Sequence, residues 1–146
     1  MGNVSELQEA KNWIYDKLSA NTDITGVVSS RIFADNYPGS FSTRTFPYIL
    51  YNYQGGGEIR GVGKNRQASE PLFQIRVVTQ GAPDTNAKLV DKRIDDVLSA
   101  ATSDVSGDYY FSAERIDPVD RAEYDATNQR FHNLGGIYRV WIRRTV

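Results

Sequence analysis

Apolar residues recur along this chain at two spacings, and each spacing predicts a different element. Leu7, Ala10, Ile14 and Leu18 fall at helical intervals, with Trp13 beside the stripe. They predict a helix over about Ser5 to Ala20. Ser5 with Gln8 makes a capping pair, Glu6 and Glu9 occupy the first turn, and Lys17 lies near the end. The helix dipole favours that order of charges. A second stripe, Ala87, Val90, Ile94, Val97, Leu98 and Ala101, predicts a helix from about Asp84 to Ala101, opened by Pro83 and Asp84. Lys88 with Asp91 and Lys92 with Asp96 would form ion pairs on its exposed faces.

Elsewhere the period is two. Phe73, Ile75 and Val77 share one face while Gln74 and Arg76 share the other. In the segment from Gly136 to Thr145, Tyr138, Val140 and Ile142 oppose Ile137, Arg139, Trp141 and Arg143. Ile49, Tyr51 and Tyr53 alternate with Tyr48, Leu50 and Asn52, after Pro47 at the strand start. Tyr109 to Ile116 predicts a third main strand beyond the turn at Ser106-Gly-Asp108, and Arg31 to Ala34 a short edge strand after the apolar segment Ile24 to Val28.

The order predicts an α+β fold. It is a mainly antiparallel sheet of about four or five strands with two helices packed on one face, in a single domain spanning residues 1–146. Pro47–Tyr53 and Leu72–Thr79 are expected to pair at the centre of the sheet, joined by an extended glycine-rich arm from Gly55 to Ser69. Asp117 to Arg130, polar and without period, is expected to be a second long connection. Connections longer than ~12–15 residues are usually functional or disordered.

Composition narrows the function. The 146 residues carry a net charge of -1 and no cysteine, so a disulfide framework and a thiolate metal site are excluded. Near neutrality gives no bulk attraction to nucleic acid or anionic lipid. No apolar run approaches the ~20 residues of a membrane span, and a soluble intracellular protein is the expectation.

Candidate chemistry is thin. The one histidine, His132, has no serine or cysteine motif beside it, and no cofactor or metal is implied. Gly61-Val-Gly63 starts a dinucleotide fingerprint, but its last position is Arg66. Gly63-Lys64 resembles the end of a P-loop, yet Glu58 stands where the first glycine belongs and Asn65 where Ser or Thr would bind magnesium. Neither pattern runs into a helix, so a nucleotide site is rejected. Glu114, Asp117, Asp120, Glu123 and Asp125 crowd one region. They would suit a small hydrolase working through an acidic 114–125 loop, or a solvated interface. Arg139, Trp141 and Arg143 would suit a nucleic-acid surface. One extension is basic (Arg60, Lys64, Arg66, beside Glu58) and the other mainly acidic (Asp117, Asp120, Glu123, Asp125, beside Arg121). That polarity favours a self-complementary ring former.

The pattern resembles the tail terminator, or tail completion, proteins of tailed bacteriophages. The resemblance is carried by the amphipathic Leu7–Leu18 helix, Arg31-Ile-Phe33, Phe46-Pro-Tyr-Ile-Leu-Tyr51, Phe73-Gln-Ile-Arg-Val77, the Ala87–Leu98 helix and Tyr138-Arg-Val-Trp-Ile-Arg-Arg144. It covers nearly the whole chain through diffuse core positions. It implies a virion structural protein with no catalytic residues. The subunit would belong to a homo-hexameric ring at the head-proximal end of the tail, assembled in the host cytoplasm. The ring would cap the tail tube protein, stop its polymerisation and present a surface to the neck or head-completion protein. Genome DNA would pass through without sequence-specific binding, and no membrane is involved. Another neck, head-completion or tail-tube-like protein is the neighbouring reading.

Overall fold

Among the described residues, alternating apolar positions build a six-stranded sheet, and three helices lie on one of its faces. The structure, a computed structural model, describes residues 2–39, 44–60, 66–100 and 104–144, with backbone alone at 2–5, 57–60 and 66–69.

Helix α1 spans Gly2–Ser19, starting earlier than Ser5. Ala10, Trp13, Ile14 and Leu18 are buried, as the stripe requires. The chain turns at once into α2, Thr22–Val28. Asn21 makes this possible: its Oδ1 accepts from the backbone N–H of Asp23 at 3.0 Å and of Ile24 at 3.2 Å, a standard helix cap. The segment expected to be merely apolar is therefore helical, with Ile24 and Val28 in the core. Strand β1, Ile32–Ala34, pairs parallel to β2, Tyr48–Arg60, and lies at the sheet edge as expected. β3 is Arg66–Gln80, and α3 is Thr85–Ser99 with Asp84 as its cap. β4 is Asp104–Ser106, β5 Tyr109–Tyr124 and β6 Arg130–Arg144.

The strand order is β1-β2-β3-β6-β5-β4, antiparallel throughout except for β1. Two expectations change. The pair β2–β3 is antiparallel as predicted, but the centre of the sheet is β3 beside β6, because β6 inserts between β3 and β5. The two long connections are mostly strand. β2 continues to Arg60 and β3 begins at Arg66; β5 continues to Tyr124 and β6 begins at Arg130. These outer stretches are polar on both faces, so no period marks them, and the backbone ladder holds them extended.

One core lies between the sheet and the helices. Ile49, Tyr51, Phe73, Ile75, Val77, Phe111, Ala113, Tyr138, Val140 and Ile142 meet Ile14, Leu18, Val90, Ile94 and Leu98. Trp13 stacks on Phe111 at 5.2 Å and 11°, and its Nε1–H donates to Asp104 Oδ2 at 2.9 Å. On the opposite face Tyr48, Leu50 and Val78 form a second, smaller cluster with Phe33, Tyr37 and Phe46.

β3 and β6 approach closely at one glycine. A Cβ on Gly135 would lie 2.1 Å from the Ile75 carbonyl oxygen and 2.6 Å from the Arg76 Cα. No helix among the described residues is long and apolar enough to cross a membrane.

Candidate assembly surfaces

The charged residues singled out by sequence fall on two opposite margins of the sheet. Glu58 and Arg60 lie near the end of β2, and Arg66 opens β3. Arg60 and Arg66 are register partners, so two like charges occupy facing positions where the ladder ends. Lys64 lies outside the described residues. On the other margin Asp117, Asp120, Arg121 and Glu123 are strung along β5, and Asp125 begins the turn to β6. β3 and β6 separate the two groups.

The acids do not converge. Asp117 pairs in register with Ile137 and Glu123 with Phe131 on one face of β5, while Asp120, opposite Leu134, lies on the other. Glu114, Asp117, Asp120 and Glu123 are exposed. Glu123 Oε1 accepts from Arg121 Nε at 3.2 Å, and Glu114 Oε1 from Arg139 Nη1 at 3.3 Å. Asp125 serves the turn: its Oδ1 accepts from the backbone N–H of Gln129 at 2.8 Å and of Thr127 at 2.9 Å, and from the Thr127 hydroxyl at 2.7 Å. Those donors, Gln129 first, hold its carboxyl below the usual range. A carboxylate pair for hydrolysis is not assembled by this arrangement, and among the described residues no cluster of His, Asp or Glu could hold a metal ion.

His132 is buried on β6, where its Nε2 bonds Asp120 Oδ1 and its Nδ1 lies 3.3 Å from Arg130 Nη2. A guanidinium only donates, so Nδ1 accepts, and Nε2 carries the proton that Asp120 receives. The pair ties the two strands of the outer hairpin together. Thr79, its register partner on β3, spends its hydroxyl on the Gly81 carbonyl at 3.3 Å. Among the described residues, His132 bonds only Asp120 and Arg130, and no nucleophile stands against it in the geometry of an acyl-transfer site.

The sheet face away from the helices carries the basic and aromatic side chains. Arg139 lies 5.7 Å from the Trp141 ring centroid and Arg143 4.7 Å from that of Tyr110. Arg76 donates to Asn133 Oδ1 at 3.1 Å, and its burial lowers the guanidinium pKa. Arg44 reaches the Tyr48 hydroxyl at 2.7 Å. Nearby, a groove of about 570 Å³ runs between the outer hairpin and the segment before β2. Arg44, Phe46, Gln80, Asp125, Gln129 and Phe131 line it, with Phe46 stacked on Phe131 at 5.3 Å.

Sequence reasoning missed a clamp beneath α3. Arg115 Nη2 donates to Asp91 Oδ1 at 2.6 Å and to the Tyr138 hydroxyl at 2.6 Å. Burial opposes the charge on Arg115, but Asp91 and Tyr138 outweigh it and raise the pKa. Tyr138, mainly through burial, is raised as well. Asp91 therefore faces the sheet rather than a helical Lys88 partner. The available signal was Arg115 itself, a charge at the next position of the core-facing series Tyr109, Phe111, Ala113.

No family model and no curated protein matches the sequence. A solved structure does. A chain from the virion of a native gene transfer agent particle superposes with a TM-score of 0.65 at 16% sequence identity. The match covers 89% of this chain and 91% of that one. At this identity the likeness establishes a shared fold.

Proposed function

We propose that this protein is a structural component of a phage-type virion, and specifically a subunit of a homo-hexameric ring that terminates the tail. The fold shared along nearly the full length of a gene transfer agent virion chain carries the reading. Three further features support it. Charge of opposite bias sits on opposite margins of one sheet, which would suit a ring built head to tail. The carboxylates and the histidine are engaged in turns and strand contacts rather than in a catalytic constellation. Near-zero net charge suits a ring through which DNA must pass without sticking.

The ring would stop tube growth because its two rims differ. One matches the tail tube protein, and the other meets the neck or head-completion protein. Light scattering after size exclusion, with negative-stain images, tests the reading. Closed rings of about six copies are expected, and the triple variant Arg60→Glu/Lys64→Glu/Arg66→Glu should shift the population toward monomer. Long filaments would instead identify a tube-like subunit, and a monomer that forms no ring even on a tail-tube template would overturn the proposal.

A further inference from the structure

We infer that the sheet face away from the helices binds a carboxylate of a partner protein at Arg76 and Asn133. The residue two places away in that partner's extended chain is apolar and sits in the Phe46–Phe131 groove. The site lies within one copy of the chain, so it does not depend on the ring.

The strand register builds the site. Tyr48, Val78, Asn133 and Arg121 form one row across β2, β3, β6 and β5, and Leu50, Arg76 and Gly135 form the next. Gly135 has no side chain, and the Arg76 guanidinium crosses from β3 to reach Asn133 Oδ1 on β6 at 3.1 Å. An arginine only donates, so this bond fixes the amide: Oδ1 faces Arg76, and Nδ2 needs an acceptor elsewhere. Among the described residues it finds none. Asn133 is 2% exposed, and its Nδ2 and the Nε of Arg76 are buried donors without a partner. Two orphan donors in one bonded pair of side chains are costly and uncommon in a finished fold.

Charge points the same way. Burial opposes the charge on Arg76, and Arg121 opposes it further. Glu123 favours that charge, but it is already bonded to Arg121 at 3.2 Å. What the site lacks is an anion. Arg76 is only half-buried, so a group arriving from solvent can meet it.

The groove decides which anion fits. Phe131 precedes Asn133 by two positions on β6, about 7 Å away on the same face. It stacks on Phe46, which packs in turn against Tyr48. An extended ligand repeats its side chains at that same spacing, so an apolar residue in the groove and an acid at Arg76 stand two positions apart. A nucleic-acid backbone fits worse. Asp125 lines the groove, and Glu123 is the register partner of Phe131, so successive phosphates would meet carboxylates. Along β5 and its turn, Glu114, Asp120, Glu123 and Asp125 are already engaged within the chain. That favours a different protein, rather than a second copy, as the source of the acid.

The test uses a blocked pentapeptide, Ser-Leu-Ser-Asp-Ser, and the same peptide with asparagine in place of aspartate. Each is titrated into isotope-labelled protein and followed by NMR. The aspartate peptide should shift the Asn133 side-chain amide and the Arg76 Nε–H resonances, and the asparagine peptide should bind at least about tenfold more weakly. Arg76→Gln should abolish binding. Asn133→Asp keeps the test decisive if that variant fails to fold, because it places a carboxylate against Arg76 from within the chain. It should raise Tm by roughly 2–4 °C and also abolish peptide binding. No shift with the aspartate peptide up to its solubility limit overturns the site. Equal binding of the two peptides overturns it as well, as does a lowered Tm or unchanged peptide binding in Asn133→Asp. A DNA duplex that shifts these resonances where the peptide does not would make the face a nucleic-acid surface and overturn the inference. Rings that form without peptide binding would remove this site and leave the ring reading standing; peptide binding by a protein that makes no ring would do the reverse.

Discussion

Arg115 shows how much one side chain can hold. Its guanidinium sits under α3, bonded to Asp91 and to the Tyr138 hydroxyl, with Asp95 3.9 Å away. It also lies 5.1 Å from the Tyr138 ring centroid. The side chains of Arg115 and Asp91 are 21% and 17% exposed, so the pair is only partly screened. Arg115→Met would leave a carboxylate and a phenol without their donor, at a cost of about 2–3 kcal/mol, somewhat less than for a fully buried pair. Urea unfolding checks this, and adding Asp91→Leu should recover part of the loss. A single-variant cost under about 0.5 kcal/mol would mean that the clamp is dispensable. Asp104 is a milder case. Trp13 and Lys17 both donate to it and hold its carboxyl below the usual range. A depressed carboxyl stabilises the fold above its unfolded pKa, and the gain disappears as pH falls through the folded one. Asp104→Asn should therefore cost about 0.5–1 kcal/mol at neutral pH, allowing for its partial exposure. The gap to the parent should close below pH ~4. Equal acid sensitivity of the two proteins would contradict the assignment.

At the scale of elements, the packing of β3 against β6 dominates. Gly135→Ala drives a methyl into the backbone of the neighbouring strand, where no side chain can yield. A loss of at least about 3 kcal/mol is expected in thermal or urea unfolding. Gly26 gives the contrast. It lies within α2 with nothing near its would-be Cβ, so Gly26→Ala should gain about 0.5–1 kcal/mol. If both substitutions were neutral, the close approach at Gly135 would not be real. The elements themselves were legible where one face is dry. Phe73, Ile75 and Val77, or Val90, Ile94 and Leu98, announce their period because the core demands it. From Asp117 to Tyr124 only Val119 is buried, and with no dry face the strand carries no signature. α2 is short and holds a glycine, so its pattern is ambiguous between helix and strand. The charged candidates were legible by type, but their separation onto opposite margins depends on where β6 inserts, which no local pattern encodes. Asp91 was misassigned because helical spacing offers Lys88 as a partner, while the true one comes from a distant strand.

At the scale of the whole molecule, the design is asymmetric. The helices cover one face of the sheet, a small aromatic cluster covers part of the other, and two charged hairpins extend from the covered region at opposite margins. Such a body has different surfaces above, below and to each side, as a subunit of a terminating ring needs. Its order of assembly follows from the same topology. β6 follows β3 and β5 along the chain, yet it occupies the middle of the sheet, with β3 on one side and β5 on the other. During synthesis β3 and β5 must wait with unsatisfied inner edges until residues 130–144 leave the ribosome. Only then do the long-range pairs close, a slow kind of step. A ribosome stalled before that point would hold a chain with helices formed and no finished sheet. The two outer hairpins take their final places in the sheet only when this strand slots in between β3 and β5.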